Sequence, residues 1–165
     1  MLELIRERRS VRRFTSRDVP EEIVEKIVEA GRWAPSGKNN QPWKFAIIRD
    51  KEIKELIARQ TIYSRSIREA PVLILVFLDN SLSYDRTKDV QAIGACIQNM
   101  LLAIHSLGLG GVWLGEILKN KEKVREIVEA PSSYELMAVI AFGYPAEALG
   151  EGERKSLSEL VFLRK

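Results

Sequence analysis

The 165-residue chain is long enough for one substantial hydrophobic core and too short for two, and its 45% apolar and 30% charged residues match a globular protein rather than a disordered or fibrous one. Its 26 Lys and Arg against 23 Asp and Glu leave a net charge of +3, with the signs interleaved nearly everywhere, so no broad basic field for nucleic acid is implied. The lone cysteine, Cys96, excludes an internal disulfide framework and fits a reducing, cytoplasmic compartment. The longest apolar run, residues 71–78, falls far short of the ~20 residues of a membrane span. The charged opening of the chain does not read as a secretory signal.

Arg6, Arg8, Arg9, Arg12 and Arg13 crowd the N-terminus with only Glu7 among them, which suggests a local anion site. Asp18, Pro20, Glu21 and Glu22 form a helix start, and Ile23, Val24, Ile27 and Val28 supply an apolar face that ends near Gly31. Residues 33–41 carry Pro, Ser, Gly and Asn and predict a loop. Residues 43–48 then predict a strand, 52–59 a short helix, and 72–78 a strand apolar on both faces. The longest helix is expected over 90–106, apolar almost all round through Ile93, Ala95, Cys96, Ile97, Met100, Leu101, Ala103 and Ile104. Gly108, Gly110 and Gly111 should end it and lead into a brief strand at 112–114. A helix over 122–129 stops before Pro131, 136–142 is another strand, and 161–163 is a candidate last strand. The pattern is that of one α/β or α+β domain without linkers or repeats.

The chemical inventory is narrow. One histidine and one cysteine exclude by count a zinc or haem site built from those residues. His105 fits a helix end near the C-terminal dipole better than a catalytic triad, and Cys96 fits core packing. No glycine-rich dinucleotide fingerprint follows a strand. A bound cofactor should therefore carry any chemistry.

Three segments bear on that cofactor. Arg8, Arg9, Ser10 and Arg12 can grip a phosphate through guanidinium and hydroxyl donors, although a solvated basic patch explains this segment alone about as well. Residues 34–43, with Asn39, Asn40 and Gln41 between Trp33 and Trp43, suit a planar heterocycle or simply turn a helix into a strand. Residues 108–116 combine glycines that let a backbone approach a ring with the features of an ordinary helix cap.

In this order, Arg-Arg-Ser-x-Arg, Ala-Pro-Ser-x-x-Asn-x-Gln-Pro-Trp, Gly-Leu-Gly-x-x-Trp and Gly-Tyr-Pro with a later arginine, the sequence resembles the flavin-dependent nitroreductases over nearly its whole length. The resemblance implies an α+β fold, a mixed central sheet flanked by helices, in an intertwined homodimer with flavin sites shared between subunits. It implies bound FMN, with NADH or NADPH as electron donor and a small-molecule acceptor such as a nitroaromatic, quinone or flavin, reduced in ping-pong fashion. By position, Arg8, Arg9, Ser10 and Arg12 would hold the phosphate, ribityl chain and pyrimidine edge, with Arg12 stabilising charge at N1 and the C2 carbonyl. Pro35, Ser36, Gly37 and Asn39 match the loop laid on the flavin by the partner subunit. Leu114 and Gly115 match the segment at the flavin face, with the Gly115 N–H near N5. Arg154 resembles the C-terminal phosphate ligand. Some relatives carry a lysine two residues before it, where this chain has Gly152, and Lys155 is a candidate substitute. Only residues 79–88 stand where larger relatives insert helices. A flavin storage or sensing protein and a basic nucleic-acid-binding domain are the competing expectations.

Overall fold

The computed structural model describes residues 1–148 and 150–165. Among the described residues eleven α-helices and β-strands run in the order α1 (Leu2–Glu7), α2 (Glu21–Arg32), β1 (Trp43–Ile48), α3 (Lys51–Ala58), α4 (Ser64–Glu69), β2 (Val72–Asp79), α5 (Arg86–Ser106), β3 (Gly110–Leu114), α6 (Lys121–Ile127), β4 (Tyr134–Gly143) and α7 (Leu157–Leu160), with short 3-10 helices at Gly37–Asn39 and Glu116–Asn120. The four strands form one sheet in the order β1-β2-β4-β3, every neighbouring pair antiparallel. The fold is α+β.

Strand alternation builds a core on each face of the sheet. Val72, Ile74, Val76 and Leu78 of β2 join Ile27 of α2 and Ile93, Ile97, Met100 and Ile104 of α5 on one side. Leu73, Leu75 and Phe77 face Ile57, Ile67 and Val124 of α3, α4 and α6 on the other. Along β4, Leu136 and Val139 lie on the same side although three residues apart, because the register against β2 shifts between Val76 and Phe77, a bulge that inserts one residue and resets the alternation.

Beside β3 the chain supplies its own border. Ser10 pairs with Gly111 in an isolated parallel bridge, Val11 N–H donates to the Gly111 carbonyl at 3.1 Å, and Phe14 bridges Pro145. This close approach requires Gly110, where a Cβ would lie 2.6 Å from the Val11 side chain. The N-terminal arginine segment is thereby laid along the sheet edge.

Several boundaries differ from expectation. Helix α5 starts at Arg86 rather than 90, because Asp85 caps it by accepting from Lys88 N–H at 3.1 Å; its first turn is polar and carries no apolar signal. Gly110 and Gly111 belong to β3 rather than to the helix end. Helix α6 ends at Ile127, and Glu129 takes a left-handed φ of 53°. Residues 161–163 form no strand; they are exposed, pair with no strand among the described residues, and follow the short helix α7. Helices α1 and α4, both short, gave no periodic signal. Among the described residues no helix is long and apolar enough to cross a membrane.

Candidate flavin site

Helix α1 stops where Arg8 leaves helical geometry at ψ 126°, and the arginines that follow gather at a cleft of about 530 Å³. Arg6, Arg8 and Arg9 line it from the N-terminus, Gln98 from α5, and Gly152 and Arg154 from the C-terminal segment. Arg8 is half-buried, and burial, then the charges of Arg154 and Arg9, push its guanidinium below its ordinary basicity. Arg9 and Arg154 direct their hydrogen bonds to main-chain carbonyls: Arg9 to Gly150 at 3.1 Å, to Arg8 at 2.9 Å and to Arg6, and Arg154 to Glu153 at 2.5 Å. Among the described residues Arg8, Arg9 and Arg154 have no carboxylate partner, and like charges collected in this way are unfavourable until an anion joins them, which fits a phosphate ligand.

From this cleft the chain runs beside β3 through exposed Ser10 to exposed Arg12, whose guanidinium lies 6.0 Å from the Tyr63 ring centroid. Leu114 is buried and anchors the end of β3, while Gly115 after it is exposed. The turn beyond Gly115 is tied down by Glu116, whose carboxylate accepts from Thr61 Oγ1 at 2.6 Å and from Ile62 N–H at 3.2 Å and pairs with Lys119. Lys119 first, then Thr61, hold that carboxyl below its usual range against the opposing effect of burial, with Ile62 N–H adding to them. Arg12 and Glu116, the residue after Gly115, thus border the same 61–63 segment. Trp113 is partly exposed, its indole Nε1 4.0 Å from where a Gly115 Cβ would stand.

Pro35, Ser36, Gly37 and Asn39 occupy a loop in which three non-glycine residues, Lys38, Asn39 and Gln41, have φ of 53°, 56° and 47°. Asparagine tolerates this region, but lysine and glutamine pay for it, a strain that clusters at functional loops. Ser36 Oγ accepts from Gln41 N–H at 3.1 Å, and Asn40 Nδ2 reaches Asp89 Oδ1 at 2.9 Å and the Leu82 carbonyl at 3.2 Å. Buried Asp89 also accepts from Ser83 Oγ at 2.7 Å and from the N–H groups of Tyr84 and Asp85. Burial alone would raise its carboxyl; the hydrogen bonds from Ser83, Asn40 and the backbone outweigh that and hold it low.

The loop opens onto a different cavity, of about 320 Å³, formed by Pro35, Ser36 and Gly37 with Lys88, Gln91, Ala92 and Ala95 of α5. Gln91 and Gln98 stand on the same helix, ~10 Å apart at 1.5 Å per residue. Within one chain, therefore, Arg8, Arg9 and Arg154 line the arginine cleft and Ser10 lies beside Gly111 of β3, while Pro35, Ser36 and Gly37 line a second cavity about two turns away along the same face of α5; Arg12, Asn39, Leu114 and Gly115 line neither.

The nitroreductase family model matches residues 5–62 and 55–144, more than half of the chain. This chain belongs to the nitroreductase family. A protein of Methanothermobacter thermautotrophicus, provisionally named NADH dehydrogenase/NAD(P)H nitroreductase, is 40% identical over 152 residues, covering 91% of this chain and 80% of its own. An Archaeoglobus fulgidus protein with the same provisional name is 34% identical over 149 residues, covering 88% and 86%. The crystal structure of a provisionally named nitroreductase from Desulfovibrio desulfuricans, in complex with FMN, superposes with a TM-score of 0.95 at 45% identity, over 99% of this chain and 96% of that one.

No sequence pattern singles out Glu116, Thr61 and Asp89, which tie down the surrounding loops, or Gln98, which lines the cleft. A lone Thr or Gln carries no local pattern, and the Asn40–Asp89 pairing spans two elements that only tertiary packing brings together. Cys96 is fully buried, and burial pushes its thiol up to about 12, so it is no nucleophile. His105 sits in the last turn of α5, 3.9 Å from Glu7.

Proposed function

We propose that residues 1–165 act as one FMN-binding domain, an NAD(P)H-dependent oxidoreductase that reduces a small acceptor such as a nitroaromatic, a quinone or a free flavin. The observation that carries this reading is the convergence of Arg8, Arg9 and Arg154 on one cleft, continued by Ser10 and Arg12 towards the exposed Gly115. The FMN complex of the Desulfovibrio relative and the NAD(P)H nitroreductase names of the archaeal relatives support it.

The residues fit the cofactor. Arg8 and Arg154 would neutralise its phosphate by charge-assisted bonds, Ser10 would donate along the ribityl chain, and Arg12 would stabilise negative charge at the pyrimidine edge. The Gly115 N–H, on a turn fixed by Glu116 and Thr61, would donate to N5. Bound FMN would supply hydride acceptance from NADH or NADPH and hydride donation to the acceptor, one after the other at the same face. No side-chain nucleophile is needed, which accords with the burial of Cys96.

The functional unit we propose is a homodimer in which the 35–39 loop of each chain covers the flavin held by the other. The separation of that loop from the arginine cleft supports this, as do exposed Leu157, Leu160, Phe162 and Leu163 in the C-terminal segment. The visible spectrum of purified protein tests the function. A flavin spectrum bleached promptly by NAD(P)H without oxygen, and restored by an acceptor, is expected. A yellow protein that bleaches slowly or not at all would favour storage or sensing, and a colourless one that FMN does not colour would refute the reading.

A further inference from the structure

Arg9 stands in the arginine motif, yet three of its five N–H donors are taken by main-chain carbonyls. Its Nε donates to the Gly150 carbonyl at 3.1 Å, and its Nη1 donates to the carbonyls of Arg8, at 2.9 Å, and Arg6. One guanidinium thus ties the end of α1 to the C-terminal segment, across a sequence separation of 141 residues. Gly152 lies directly on the same group: a Cβ there would sit 2.6 Å from Cζ and 2.8 Å from both Nε and Nη2. Two residues later comes Arg154, close enough to Arg8 for its charge to be felt there.

We infer that Arg9 is a positioning residue, a strut that pins residues 150–152 over the end of α1 so that Arg154 is held beside Arg8 at the phosphate end of the cleft. The absence of a side chain at Gly152 is then part of the device. A lysine at that position would have to displace the guanidinium, so this chain keeps either the strut or a second C-terminal cation, and has the strut. Lys155 is not required as a replacement ligand, because order in the segment, rather than a further charge, is what Arg9 provides.

The inference rests on the FMN reading for one of its two tests. In the first, which needs no flavin, a nitroxide is attached at Glu151→Cys. Buried Cys96, with its raised thiol, stays unlabelled. The label is expected to be restrained with Arg9 present and clearly more mobile in Arg9→Ala and in Gly152→Leu. Unchanged mobility in both would overturn the strut. In the second, FMN dissociation constants are measured for Arg9→Ala, Arg154→Ala, the double variant and Gly152→Leu. Arg9→Ala and Gly152→Leu should each weaken binding about tenfold, in the range of a lost charge-assisted bond, and Arg9→Ala should add almost nothing in the Arg154→Ala background. Additive losses would make Arg9 a direct phosphate ligand and refute the inference. If wild-type protein binds no FMN, the functional reading fails while the label still decides the role of Arg9. Gly152→Leu, at an exposed position, carries both tests should Arg9→Ala not fold.

Discussion

At the level of single residues, the phosphate cleft and the ion pairs make distinguishable demands. Arg8→Ala and Arg154→Ala should each raise the FMN dissociation constant roughly tenfold to a hundredfold, the effect of losing ~1.5–3 kcal/mol of charge-assisted bonding, while circular dichroism and melting stay close to wild type. Equilibrium titration of apoprotein with FMN measures this, and unchanged constants in both variants would move the phosphate elsewhere. Glu135 offers a pH test. Arg86 at 2.7 and 3.1 Å, working against burial and aided by Lys121 at 2.7 Å, holds its carboxyl at about 2. In the unfolded chain the group titrates near ~4.3. A folded value below the unfolded one contributes stability that is complete above the unfolded value and disappears as pH falls through the folded one. Glu135→Gln should therefore cost about 1–2 kcal/mol at neutral pH, allowing for solvent screening of the exposed Arg86, and the gap to wild type should close between pH ~4.5 and ~2. Urea melts across that window measure it; a gap independent of pH would mean that the pair contributes nothing.

Elements meet at Asp89, in the first turn of α5. Its carboxylate gathers the 80–85 segment through Ser83, Tyr84 and Asp85, and the strained 35–41 loop through Asn40. Asp89→Ala would leave four donors without their acceptor in or near the core, a cost of ~2–4 kcal/mol. For a chain of this size that corresponds to a fall of about 5–10 °C in Tm. Calorimetry checks it, and a variant melting within a degree of wild type would show that water replaces the carboxylate. If the loop touches flavin, FMN binding should weaken in the same variant even at temperatures where it is fully folded.

For the whole molecule, the expectation is a homodimer with composite sites. Obligate interfaces of this kind commonly bury more than ~2,000 Å², so folded monomer should be scarce in sedimentation. Chains altered at Arg8 should complement chains altered at Asn39 when co-refolded, because one site of each heterodimer then receives both intact halves. Recovery of tight FMN binding towards half of the sites is expected. A flavin-loaded monomer, or no recovery in verified heterodimers, would overturn shared sites.

Periodicity in the linear chain was enough to place β1, β2, β4 and the core of α5 while leaving α/β and α+β both open, and motif order pointed to the family and through it to α+β, because alternation, helical stripes and short motifs are local properties of sequence. Tertiary structure alone decided which ends meet. Nothing local to Arg9 announces Gly150 and Gly152, nothing near Thr61 announces Glu116, and the polar first turn of α5 hides both its start at Arg86 and the buried role of Asp89. Likewise, 161–163 has the composition of a strand but pairs with no strand among the described residues. Hydrogen bonds and charges act through space, so their partners exist only after the sheet and helices have brought distant residues together.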